Sequence, residues 1–155
     1  MKRTILVLLL LAGLIVVPAM AQNFSSPRPQ FLSFNVGVMG GYNLAVEEAI
    51  GASNFGINFM IIDNLELGID RINTHDTISP VSHTLLRASF WFTDQFGAAV
   101  GVGSDISFGI FANFLQVRAA NGLAYSLGFR ADYVAPTDAF GDGSIFVGLR
   151  ATFGL

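Results

Sequence analysis

Residues 123–133, LAYSLGFRADY, alternate without a break. Leu123, Tyr125, Leu127, Phe129, Ala131 and Tyr133 hold one parity; Ala124, Ser126, Gly128, Arg130 and Asp132 hold the other. A period of two belongs to a β-strand with unlike faces, and it excludes an amphipathic helix here. Seven further segments repeat the pattern, near 31–43, 54–62, 65–73, 84–92, 96–103, 107–120 and 144–155. Pro27, Pro29, Pro80 and Pro136 fall between these segments and interrupt none of them, as a hydrogen-bonded ladder requires. The chain therefore reads as all-β, with eight strands.

The turns supply an independent check, because a hairpin register must put both apolar faces on one side. The Asn-Gly pair at 121–122 predicts a two-residue turn pairing Ala120 with Leu123, which propagates to Phe114 opposite Phe129. TDQ at 93–95 pairs Phe92 with Phe96, IDN at 62–64 pairs Ile61 with Leu65, and SDI at 104–106 pairs Val102 with Phe108. All four registers keep the faces in phase. Tight turns at 62–64, 93–95 and 121–122 alternate with longer connections at 44–53, 74–83 and 135–143. Only 104–106 departs, being short where a long connection is expected. An even strand count with short turns at one end and longer loops at the other predicts an eight-stranded antiparallel up-and-down transmembrane β-barrel.

Which face meets water is decided by charge. MKRT, the apolar run ILVLLLLAGLIVV, Pro18 and the small residues of AMA at 19–21 have the layout of a secretory leader. The expected division is a cleaved leader over 1–21 and one domain over 22–155. That domain has no Lys and six Arg (28, 71, 87, 118, 130, 150) against eleven acids, a net charge of −5. Its seventeen charged residues in 134 are about half the usual quarter share, too few to build a water-facing shell. The apolar parity is aromatic and aliphatic throughout, while the other parity is Gly, Ser and Asn, which suits a crowded interior. The apolar face therefore points outward into lipid. No basic patch exists for nucleic acid. The absence of Cys removes disulfides, thiolate metal sites and a lipidated Cys.

Six ionisable residues have inward parity: Glu66, Asp70 and Asp132 against Arg87, Arg130 and Arg150. They balance, and Arg supplies every cation, which favours bidentate desolvated pairing. The expectation is a salt-bridge network filling the lumen, since eight strands leave an interior just wide enough for side chains. The alternative is a water-threaded path using the same charges. Trp91, Phe111 and Phe146 also have inward parity and either plug the lumen or mark a bulge. Arg71 and Arg118 point outward near strand ends, where Arg reaches headgroups. Tyr42, Tyr125, Tyr133, Phe92, Phe96 and Phe153 suit aromatic girdles. Glu47, Glu48, Asp138 and Asp142 would make an acidic rim. Other motifs are weak. His75, Asp76 and His83 lack a metal site's fixed spacing, so no metal or other cofactor is expected. Ser82 and His83 adjoin in SHT, but neighbours on a strand point apart. DAFGDG at 138–143 lacks the ligands of a calcium loop, and GVGSDIS at 101–107 lacks the third Gly of a dinucleotide loop.

The leader, the eight alternating strands and the aromatic-bearing last strand resemble the small outer-membrane β-barrels of the outer membrane protein A and X type and their opacity-protein relatives. The resemblance covers the whole of 22–155 and is architectural. It implies residence in the outer membrane of a double-membraned bacterium, contact with outer-membrane lipid, both ends of the barrel domain in the periplasm, and 44–53, 74–83 and 135–143 outside. It also implies that SIFVGLRATFGL is read by the barrel assembly machinery, with Gly148 and Phe153 matching the usual Gly and aromatic. Phe146 stands where a polar residue is common, and Leu155 where the terminal Phe is usual. The expected function is a non-enzymatic structural or surface-interactive role through the outer loops, with the surface ligand unspecified. A narrow conduit for small solutes is the alternative, and a lipid-modifying enzyme with Ser and His at the rim is a third reading.

Overall fold

The computed structural model describes residues 31–75, 80–119, 122–137 and 142–155. The leader expected over 1–21, Asp76, Asn121 and Asp138 lie outside the described residues. Eight strands follow one another: β1 (Leu32–Asn43), β2 (Glu48–Ile62), β3 (Leu65–Thr74), β4 (Ser82–Trp91), β5 (Phe96–Gly103), β6 (Ile106–Arg118), β7 (Ala124–Ala135) and β8 (Ser144–Gly154). Each pairs antiparallel with the next, and β8 pairs with β1, so the sheet closes into a barrel. Closure leaves no edge strand.

The stagger fixes the barrel's shape. From Ser33 the register runs through Asn58, Gly68, Arg87, Gly101, Ser107, Val134 and Ser144, and returns to β1 at Asn43, ten residues above its start. Eight strands with a stagger of ten tilt by about 41°, given a rise of ~3.3 Å per residue and a spacing of ~4.8 Å. We call the end bearing connections 44–47, 75–81, 104–105 and 136–143 the upper end; connections 63–64, 92–95 and 119–123 form the lower end.

Alternation sorts the two faces. Ser33, Asn35, Asn54, Asn58, Ser89, Asn113 and Thr152 are buried inside. Val38, Ile69, Leu86, Val100, Phe129 and Leu149 stand on the outer surface, 44–66% exposed. This is the reverse of a water-soluble domain, where large apolar side chains seek the interior.

Four details differ from the sequence-based expectation. Residues 48–53 belong to β2, and the first connection is the tight turn 44–47 rather than a loop over 44–53. The Asn43 carboxamide accepts from the Ala45 and Val46 amides (2.9 and 3.4 Å), and Glu47 adopts φ 58°, so an Asx-type turn reverses the chain. At the β5–β6 turn Val102 faces Ile106 instead of Phe108; the two-residue shift preserves parity. In the β6–β7 hairpin the register breaks between Asn113 and Leu115. Phe114 is the extra residue, and a bulge of this kind turns the strand and reverses its parity: Leu115 and Val117 face outward below it. The Ala119 amide donates to Leu123 O, and Gly122 takes φ 88°, so the hairpin closes differently from the two-residue turn expected. Last, Ile62 rather than Ile61 faces Leu65, with the shift confined to the end of β2.

Candidate functional site

The lumen holds the ionisable residues that the outer wall lacks. Asp70 on β3, Arg87 on β4, and Arg130 and Asp132 on β7 are all at most 4% exposed. Arg87 reaches both acids: Nη1 donates to Asp70 Oδ2 at 3.4 Å, and Nη2 ion-pairs with Asp132 Oδ1 at 2.8 Å. Arg130 does the same from the other side, through Nη2 to Asp70 Oδ2 and Nε to Asp132 Oδ2. The four side chains close a ring of alternating charge. Each guanidinium bridges two carboxylates, an arrangement that suits Arg's planar fork and that a Lys point charge would not reproduce. The ring also spans the barrel, because β3 and β4 lie across the lumen from β7.

Room for the ring comes from the wall beside it. Gly109 faces Asp132 across the β6–β7 register, and a Cβ there would stand 2.5 Å from Arg87 Nη2 and closer still to Asp132 Oδ1. Any larger residue would displace the ring.

Glu66 and Arg150 stand apart from it, lower in the barrel. Arg150 lies 4.5 Å from the Phe111 ring centre and 5.9 Å from that of Trp91, and Nη2 donates to Asn113 Oδ1 at 3.2 Å. Trp91 and Phe111 meet edge to face at 4.6 Å. Their inward parity thus fills the lumen, with no bulge needed to explain it. Glu66 is buried beside Trp91 and within electrostatic reach of Arg150.

Two apolar layers bracket the ring. Ile72, Leu85 and Val134 each lie two residues above a ring member on its own strand, and they pack with Met39, Ala52 and Phe146 into an upper cap. Trp91, Ala99 and Phe111 form the lower layer. Below them a small vestibule opens among Asn113, Gln116, Tyr125, Ser126 and Thr152.

The upper mouth carries a pair that motif reading missed. His83 Nδ1 lies 2.6 Å from Asp105 Oδ2, which also accepts from the Ser104 hydroxyl at 2.9 Å. The signal was present in the chain: extending the Phe92–Phe96 register up β4 and β5 sets residue 83 opposite 105. Ser82 and His83 do not act together, since the Ser82 hydroxyl donates to Asn73 on the outer face. Among the described residues no cluster of His and acids has the makings of a metal site.

No protein-family profile matches the chain, and no curated protein matches it. Among solved structures, the N-terminal β-barrel domain of Pseudomonas aeruginosa OprF is similar over 81% of this chain and 98% of its own, with a TM-score of 0.47 and 15% identity. The closed circuit from β1 to β8 settles the architecture by itself. The fold is a closed, eight-stranded antiparallel up-and-down β-barrel. Inside the barrel the charged ring lies between the upper apolar cap and the lower aromatic layer.

Proposed function

We propose that this chain is an integral outer-membrane barrel of a double-membraned bacterium, with an occluded lumen and a structural or surface-interactive role. One observation carries the reading: a paired cluster of charges lies inside, and large apolar and aromatic side chains cover the outer wall. Buried Arg and Asp pair with each other, while Phe55, Phe59, Phe90, Phe129 and Phe153 stand exposed on the wall. Exposed aromatic surface of this extent is unfavourable in water and favourable against acyl chains. The strand tilt supports it, since ten residues at about 41° rise roughly 25 Å, the height of an outer-membrane apolar band. A role at the surface is supported by the paired ring and the two apolar layers, an arrangement that opposes a continuous aqueous path. The upper rim offers the acids Glu47, Glu48 and Asp142, all exposed, to basic or cation-bridged partners. Phe153 stands outward on the last strand and Leu155 is exposed just beyond its end, where the assembly machinery would meet them; Phe153→Ala is the change that would slow assembly.

The test has two steps. Full-length protein folded into phosphatidylcholine vesicles should migrate differently on a gel before and after boiling, as a closed membrane barrel does. In planar bilayers the same protein should then show no steady conductance. Loss of the mobility difference would remove the membrane reading. Steady conductance would replace the occluded lumen with the narrow conduit.

A further inference from the structure

Arg71 is a cation that the lumen does not use. It has outward parity on β3, opposite Phe55 on β2 and above Ile69, at the upper edge of the apolar wall. Its guanidinium is held in place there. Nε donates to Asn73 Oδ1 at 3.0 Å and Nη2 to Ser82 Oγ at 3.2 Å, while the Ser82 hydroxyl donates to the same Asn73 oxygen at 2.8 Å. Ser53, Asn73 and Ser82 are register partners on β2, β3 and β4, so they form one polar row across three strands. The Ser53 hydroxyl lies 3.0 Å from His75 Nε2 at the end of that row. On the far wall the equivalent row is Phe108, Tyr133 and Ile145. The polar row therefore belongs to one side of the barrel and is not a general feature of its rim.

The row has used its acceptors and kept its donors. Asn73 Oδ1 already accepts two hydrogen bonds. Three of the guanidinium's five N–H groups and the Asn73 amide NH₂ have no partner among the described residues, and none of the ion pairs among those residues involves Arg71. A fixed fork of donors beside hydroxyls and an imidazole matches a phosphate. Directly below, Phe55, Ile69 and Leu86 present bare apolar surface. An anion bound here by a ligand that also covers that surface must carry acyl chains.

We propose that Arg71, Asn73 and Ser82, flanked by Ser53 and His75, bind the phosphate of an anionic lipid whose chains lie along Phe55, Ile69 and Leu86. This rests on the membrane reading, so the first measurement keeps the two apart: every variant must show the boiled-versus-unboiled mobility difference after folding into phosphatidylcholine vesicles. Native mass spectrometry from detergent micelles then compares retention of phosphatidic acid with that of phosphatidylcholine. Wild type should retain one phosphatidic acid in preference. Arg71→Gln should weaken that retention about tenfold, the factor expected for losing a charge-assisted hydrogen bond. Asn73→Asp, which keeps a partner for Arg71 but turns a donor into an anion, should weaken it as well. Arg118→Gln, at the lower end, should leave it unchanged. Inorganic phosphate is the remaining arm. If it displaces phosphatidic acid at equal concentration, the acyl chains contribute nothing and the lipid assignment falls. Equal retention of the two lipids, or wild-type retention by Arg71→Gln, would overturn the site altogether.

Discussion

Arg87 shows what the loss of one ring member leaves behind. It contacts both carboxylates, so Arg87→Ala leaves Asp70 and Asp132 sharing Arg130 alone, with one unbalanced negative charge in a dry interior. Breaking one partner of a buried pair costs about 3–5 kcal/mol, much of it the stranded charge rather than the lost attraction. Arg87→Ala should lower stability by that amount in urea unfolding from lipid vesicles. The pair Arg87→Gln and Asp132→Asn should cost less together than the sum of the single changes, by about 0.5–3 kcal/mol, because Arg130 and Asp70 then remain as a neutral pair. Additivity within error would mean that the ring is wet and its members independent. The reach of sequence reading is visible in these same residues. Alternation specifies the wall a side chain faces, and Asp70, Arg87, Arg130 and Asp132 can each be assigned inward from it. It carries nothing about which walls meet across the lumen. Arg130 contacts Asp70 across 60 residues of sequence, and that contact follows from the stagger of the whole sheet. Glu66 and Arg150 carry the same parity and charge as ring members, yet they lie lower in the barrel, a difference set by height alone.

Each strand presents one face to the lumen and one outward, so a substitution's effect should depend on parity more than on its place along the chain. Phe129 and Ser126 sit three residues apart on β7, Phe129 outward and 44% exposed, Ser126 against the lower vestibule. Phe129→Arg should destabilise the folded barrel by about 2–4 kcal/mol, the range for a cation near the bilayer midplane. Ser126→Thr should have little effect, because the vestibule has space for a methyl group. Comparable tolerance of the two in a lipid-vesicle folding titration would refute the orientation of the wall. The strands themselves were legible because alternation runs unbroken through most of them. Three local features were not. Glu47, Glu48, Gly51 and Ser53 look like loop composition, yet 48–53 continue β2, because Asn43 folds the turn tightly enough for Asn43 to pair with Glu48. Phe114 has the outward parity of Phe108 and Ile110, and nothing in its identity announces that the ladder skips it. The two-residue shift at Val102 is invisible to any reading based on parity, since it restores every side chain to the same face.

Across the whole molecule the lumen is a stack, and the layers differ in how they oppose an ion. The ring braces β3 and β4 against β7. Above it the cap draws Met39, Ala52, Ile72, Leu85, Val134 and Phe146 from six of the eight strands. A paired, charge-balanced ring resembles the polar surroundings that an ion or water tolerates. A dry apolar constriction does not, and such constrictions block by excluding water. The cap should therefore be the principal barrier, with the ring serving mainly to hold the walls at the separation the cap needs. This separates the two roles experimentally. A neutralised ring (Asp70→Asn, Arg87→Gln, Arg130→Gln, Asp132→Asn) removes the ring's charges while the cap above it stays intact, so it should fold and stay silent in planar bilayers. Adding Phe146→Ser, which takes a fully buried ring out of the cap and leaves a hydroxyl, should let water through and give measurable conductance. If the neutral ring conducts by itself, ion pairing is the barrier, and the cap is looser than its packing implies.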